Sequence, residues 1–275
     1  MQRIVLSILT LATLTFVACN KDNNVTPTND TTELVTVSSE DMSELESTTQ
    51  STEDELDDVL EENGLTVRGC KPTIALSAPR GTYPQTITLT FDGTCNDQHA
   101  RKRKGQIVIT LSDSLTKVGA TKTVTYNNFS VDSAKVEGTR KWTNTGKNAQ
   151  GQPTFKREAT NMKLTFGDGT STTWTATHIV TKTQGYETPR LFIDDVWAVT
   201  GNTSGVNRKG KTYESVIASP IIHKALCPWI VKGVRSVTVN GKTVSLDYGY
   251  GGGDCDRDAL LTLEDGTTKV IKIRH

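Results

Sequence analysis

The sequence predicts an all-β body, an elongated antiparallel β-meander or sandwich with an internal repeat, preceded by a signal peptide and a disordered or short-helical acidic tether. Three observations predict it. From about residue 71, β-branched and aromatic residues alternate with polar ones at period 2, as in a strand with one buried face. Gly, Asn and Asp punctuate that alternation, and the joining stretches are too short for the helical crossovers that parallel strands require. Residues 20–64 are of another kind, with 14 acidic side chains against Lys21 and a net charge of −13, whereas residues 65–275 carry a net +12.

Residues 1–18 read as the signal segment. Arg3 gives a short positive start, and Ile4 through Val17 form an apolar run interrupted only by Ser and Thr. That run falls short of the roughly 20 apolar residues of a permanent membrane helix. Its end, Phe16-Val17-Ala18-Cys19, resembles a bacterial lipobox, in which small residues precede a Cys that is acylated and becomes the mature N-terminus. Two or three acyl chains anchor a protein stably where one does so marginally. Lys21-Asp22 is similar to the charged export tag of lipoproteins carried to the outer face of the outer membrane in Bacteroidota. The resemblance implies palmitate or a similar acyl group on Cys19 and an outer-membrane address, surface-exposed rather than periplasmic.

Residues 19–69 form the expected tether. Residues 20–51 are rich in Thr, Asn, Ser, Asp and Glu, which bury too little surface to offset ordering entropy, so a flexible spacer is expected. A short helix is expected near 52–63: Thr52 and Glu55 have capping-box spacing, Leu56, Val59 and Leu60 share a face, and Gly64 can end it. The body, residues 70–275, contains strand patterns at Thr86–Phe91, Ile107–Leu111, Thr123–Tyr126 and Lys163–Phe166. Asp168-Gly169, Asn240-Gly241 and Asp265-Gly266 predict two-residue hairpin turns, giving hairpins over Val237–Leu246 and Leu260–Ile273.

Residues 70–111 and 227–273 are related: each has a Cys, strand pattern, a Gly/Asp-rich turn with a second Cys, and another strand. With Cys19 acylated, the four remaining cysteines are an even number in an exported chain, where disulfides persist. Of three possible pairings, Cys70 with Cys95 and Cys227 with Cys255 matches the duplication. A tetrathiolate zinc site is the alternative, but no CxxC pair is present.

The stretch from Val239 through Asn240-Gly241 and Leu246-Asp247-Tyr248-Gly249, with Gly253-Asp254-Cys255-Asp256, resembles the C-terminus of predicted Bacteroidota surface lipoproteins. Cys227-Pro228-Trp229-Ile230, Met162 through Phe166 and Gly185-Tyr186-Glu187 are similar to the same family, so the likeness covers roughly residues 70–275. The family has no assigned activity, and the resemblance implies a fold and an address only.

Candidate chemistry is sparse. Asp254, Asp256 and Asp258 alternate as at the start of a calcium loop, but the positions needing Gly and Glu hold Ala259 and Asp265; a strand-borne calcium site is the remaining form, and otherwise no cofactor is expected. Arg101-Lys102-Arg103-Lys104 is expected at an exposed hairpin tip, suited to lipopolysaccharide phosphates, acidic glycans or the acidic tether. Nucleic acid is excluded as a partner by the lack of a nearby stacking platform. His99, His178, His223 and His275 show no metal-ligand spacing.

Asp194-Asp195, read as strand residues, would point to opposite faces, a poor geometry for a glycosidase pair. Trp142, Trp174, Trp197 and Trp229 fit core positions better than a glycan platform. Thr31, Ser114 and Ser133 lie in short Asp-Ser/Thr sequences similar to O-glycosylation sequons of this bacterial group. The sum is a lipid-anchored, non-enzymatic cell-envelope or surface binding and structural module. An envelope glycan-active enzyme and a small-ligand carrier are the alternatives.

Overall fold

The computed structural model describes residues 33–42, 44–45, 48, 72–96, 101–188, 192–227 and 229–273. Among them thirteen strands run in chain order: β1 (Thr73–Leu76), β2 (Gln85–Asn96), β3 (Lys102–Leu111), β4 (Thr121–Val131), β5 (Ala134–Lys147), β6 (Pro153–Thr165), β7 (Ser171–Gln184), β8 (Val196–Val206), β9 (Thr212–Lys224), β10 (Ile230–Val239), β11 (Lys242–Asp247), β12 (Asp258–Thr262) and β13 (Thr268–Lys272). Each pairs antiparallel with the next, in a single open sheet in sequence order. The expected meander is therefore what forms, and the sandwich is not.

One face of this sheet is the core. Pairing in register carries a single row of inward side chains across ten strands: Ile87, Ile109, Val124, Arg140, Ala159, Ala176, Thr203, Ser215, Val237 and Val244. Alternate positions along each strand point outward, and there Thr dominates, as in the partners Thr88, Val108, Thr125, Thr139 and Thr160. The inward residues form two clusters, one over β2–β7 and one over β7–β13.

Strands of up to 14 residues accommodate this face by bending at bulges. Register shifts occur at Gly105 and Asn128 between β3, β4 and β5, and again at Gly138 and Asn161 between β5, β6 and β7. In both cases the Gly presses on the Asn of the neighbouring strand, 23 residues further along the chain. A Cβ on Gly138 (φ +117°) would lie 2.6 Å from Met162 Cα and 2.7 Å from the Asn161 carbonyl oxygen. Only Gly permits that approach, and the Asn residues supply the left-handed backbone opposite, at φ 49° each.

Helix α1, helical at residues 33–42, 44–45 and 48, lies against the core face. Leu34, Ser38, Asp41, Leu45 and Thr48 recur at spacings of four and three, the period of one helical face, and all are buried. Leu45 joins the first cluster while Leu34, Val35 and Met42 join the second, so α1 bridges the two. At about 1.5–3 kcal/mol per fully buried aliphatic side chain, this contact outweighs the weak intrinsic stability of so short a helix.

Ser38 and Asp41 of that face meet the β8–β9 turn. Asn207 Nδ2 donates to the Ser38 hydroxyl at 2.9 Å, and the Arg208 backbone N–H donates to Asp41 at 2.8 Å. The Arg208 guanidinium donates to Asp41 and, at 3.2 Å, to Glu44, while its plane covers the Phe166 ring at 3.9 Å. Residues 33–42, 44–45 and 48 thus depart from the expected flexible spacer. The reason is that their helical face is half polar: the Ser38 hydroxyl donates to the Leu34 carbonyl within the helix at 2.9 Å, while Asp41 finds the Arg208 guanidinium and backbone N–H on the folded sheet. The signal segment, Cys19 and the helix expected near 52–63 lie outside the described residues.

Of the turns, Asn240-Gly241 is the two-residue hairpin expected, joining Val239 to Lys242 with φ 51° and 75°. Asp168-Gly169 and Asp265-Gly266 are longer than expected. The Asp carboxylate accepts the N–H two residues on, at 2.9 Å from Thr170 and 2.9 Å from Thr267, and only the Gly turns left-handed. Cys227 and Cys255 are disulfide-bonded, bracketing β10 and β11. The Cys70–Cys95 pair falls outside what is described.

Gly138→Ala should cost about 3 kcal/mol or more, because the backbone of β6 must move, whereas Gly169→Ala, at φ +83° in open space, should cost about 1–2 kcal/mol. Urea midpoints at constant m-value check both. Arg208→Ala leaves the buried Asp41 carboxylate without its guanidinium and should cost about 3 kcal/mol. It should also raise cleavage by a Glu-specific protease at Glu40 and Glu44, and Asp41→Asn in the same chain should recover part of the stability.

Candidate functional site

The core face is not uniformly apolar. Next to the aliphatic row, register pairing sets out Gln85, Leu111, Lys122, Trp142, Arg157, His178 and Gly201 on consecutive strands β2–β8. Lys122 Nζ lies 5.1 Å from the Trp142 ring centroid, and the Arg157 guanidinium lies 5.5 Å from the same ring. Phe155 connects Trp142 to Trp197, with centroids 6.1 and 6.2 Å away, and Lys182 lies 5.5 Å from the Trp197 centroid. The result is an alternation of cations and ring faces, each such contact contributing about 0.5–2 kcal/mol.

His178 sits toward the β8 end of this row, between Arg157 and Gly201. Its Nδ1 lies 3.0 Å from an Arg157 nitrogen and its Nε2 3.2 Å from the Thr203 hydroxyl. Because the guanidinium can only donate, Nδ1 is the acceptor and Nε2 carries the proton toward Thr203. Burial lowers the imidazole pKa to about 2, with the nearby Arg157, Arg235 and Arg140 charges adding to it. His178 is therefore a neutral strut.

The basic run expected at a hairpin tip is corrected by its strand. Lys102, Arg103 and Lys104 belong to β3, so alternation turns Arg101 and Arg103 into the core face, 9% and 1% exposed, and leaves Lys102 and Lys104 outside. The four cations do not form one patch.

Asp254, Asp256 and Asp258 do not converge either. Asp256 accepts the Asp258 backbone N–H at 2.7 Å, and Asp258 pairs with Lys272 across the β12–β13 hairpin. Among the described residues no three His, Cys, Asp or Glu side chains are grouped as a metal site.

Asp194 and Asp195 are not strand residues. Asp194 closes a 3-10 turn (Phe192–Asp194) and accepts the Thr188 hydroxyl at 2.6 Å, while Asp195 pairs with Lys182 at 2.7 Å. Both carboxylates crowd the Gly185 turn.

Trp174 is core, at 5% exposure; Trp142 and Trp197 are half-buried beside the second cluster, as the sequence favoured, and Trp229 is half-buried. Ser114 and Ser133 sit in the β3–β4 and β4–β5 turns, half-buried and exposed respectively. Ser114 shares a hydrogen bond with Thr116 at 2.8 Å. Thr31, His99 and His275 lie outside the described residues; His223 is half-buried in β9.

A cleft of about 650 Å³ opens on the outer face over β6–β10, between the Asn161 bulge and the Asn240-Gly241 turn. Thr175, Ser204, Glu214 and Thr238, direct register partners on β7, β8, β9 and β10, form its floor. The sequence signal for it was a set of polar residues at alternate positions on four strands, legible only once their register was known.

No family model, curated protein or solved structure matches the chain. Among the described residues no helix is long and apolar enough to cross a membrane.

His178 predicts a pH dependence. The imidazole protonates near 6.5 in the unfolded chain and near 2 in the folded one, so the unfolded state binds the extra proton between those values. Stability should therefore fall as pH drops below 6.5, by about 1.4 kcal/mol per pH unit from this group. His178→Asn, which keeps a donor and an acceptor without titrating, should flatten the slope of urea stability between pH 6.5 and 4.5.

Proposed function

We propose that the chain is a lipid-anchored envelope module, acylated at Cys19 and held at the outer membrane, whose β body binds or braces and does not catalyse. The observation that carries this reading is the docking of α1 at the β8–β9 turn. On this reading, the docked helix sets where an anchored leader would join the body. Thirteen residues, 20–32, separate Cys19 from Glu33, so even a fully extended leader keeps this end of the sheet within about 45–50 Å of the anchor. A docked helix between anchor and body transmits position, which a free spacer would not.

The use of the carboxylates supports a non-enzymatic role. Asp92, Asp113, Asp168 and Asp265 accept nearby backbone N–H groups, and hydrogen bonds hold their carboxyls below the ordinary Asp range. Asp41, Asp195 and Asp258 are committed to Arg208, Lys182 and Lys272. An acid and a nucleophile or base for glycan hydrolysis must converge on one bond, and these groups are spent on architecture.

Cys19→Ala should move the protein from the membrane fraction to the soluble fraction and abolish incorporation of labelled palmitate, while protease shaving of intact cells should remove the wild-type body. A mutant that remains membrane-bound would overturn the anchor, and a wild-type body protected from protease would overturn surface exposure.

A further inference from the structure

We propose that the outer-face cleft is a binding site for a short neutral oligosaccharide, laid across the strands with about one sugar unit per strand. The inference rests on the reading of the body as a binding module and names its ligand class.

The floor carries the argument. Thr175, Ser204, Glu214 and Thr238 stand side by side on four adjacent strands, and the row continues to Thr243, whose hydroxyl lies 2.8 Å from that of Thr238. Neighbouring strands are about 4.8 Å apart, close to the length of one pyranose unit in an extended glycan. Each strand therefore offers one hydroxyl or carboxylate per ring. Ser and Thr hydroxyls both donate and accept, as sugar hydroxyls do, and the Glu214 carboxylate can accept from two adjacent hydroxyls at once. Among the described residues the Glu214 side chain has no ion pair or hydrogen bond, unlike the turn carboxylates.

The rims come from local backbone geometry. Asn161 is thrown outward by the β6 bulge and Asn240 by the β10–β11 turn, both at positive φ, and each adds an amide with donors and an acceptor.

Other ligand classes fit less well. The lining holds one carboxylate and no Lys or Arg, which disfavours an anionic ligand and is too little charge for a divalent cation. Strands β7–β10 are paired on both sides, so an extended peptide has no free edge to join. The Trp174 and Tyr213 rings are buried, 5% and 2% exposed, so ring stacking contributes little and affinity should be about millimolar.

The test is titration of the full chain, in detergent, with chitotriose and with maltotriose, read by isothermal calorimetry or ligand-observed NMR. Binding of at least one probe is expected, weakened about tenfold or more by Glu214→Ala and abolished by Ser204→Trp, with unchanged circular dichroism. The Ser204 and Glu214 side chains are exposed, so both variants should fold. No binding of either probe up to about 10 mM, or binding that survives Ser204→Trp, would overturn the site. The same titration on Cys19→Ala separates the two readings. Sugar binding by an unanchored protein leaves the cleft standing whatever the anchor does, and an anchored protein that binds neither probe sinks the cleft alone.

Discussion

A single layer of strands has two faces, and burying one of them is the constraint from which the rest of this structure follows. A sandwich covers its core with a second sheet; among the described residues the sheet runs from β1 to β13 without one. Among them cover comes from curvature and from α1. The bulges at Gly105/Asn128 and Gly138/Asn161 supply the bends, because each extra residue increases local twist. α1 supplies the bridge, with apolar side chains in both clusters. The alternation of Thr outside with Ile, Leu and Val inside then follows from the pleat.

The charged residues on the inner face show how far this solution departs from an apolar core. Arg103 and Arg235 are among the largest fully buried side chains, and Lys122, Arg140 and His178 are buried with them. Moving a cation out of water costs several kcal/mol, and ring faces, hydrogen bonds and opposite charges offset that cost. Arg208 displays the arrangement in full. Burial opposes its charge, but Asp41 and Glu44 outweigh burial and hold its pKa above the ordinary value. His178 resolves the same conflict by staying neutral. Acidic leader and basic body, separate features along the chain, meet at this contact.

Much of the local structure was legible in particular residues. Asn240-Gly241 specified its own hairpin, since both positions must turn left-handed. Cys227 and Cys255 paired as the repeated spacing suggested. Strand β5 was harder to see, because Arg140, Trp142 and Asn144 hold its inward positions and hide the alternation. Residues 101–104 are adjacent in sequence but not on one surface, since Arg101 and Arg103 are buried while Lys102 and Lys104 are exposed. A strand sends such neighbours to opposite sides. The helical face of α1 was equally present in the sequence, at spacings of four and three, but its Ser, Asp and Thr members gave no reason to expect burial.

By itself, then, the sequence determined the all-β body, its antiparallel pairing, the Asn240-Gly241 turn and the charge division between leader and body. These depend on φ/ψ preferences and on alternation over a few residues, which are local properties of the chain. The tertiary structure alone decided that α1 docks, that Lys122, Trp142, Arg157 and His178 form one row, and that Thr175, Ser204, Glu214 and Thr238 share a cleft. The docking depends on partners distant in the chain, and the row and the cleft depend on register between strands, where a shift of one residue would send each of those side chains to the other face.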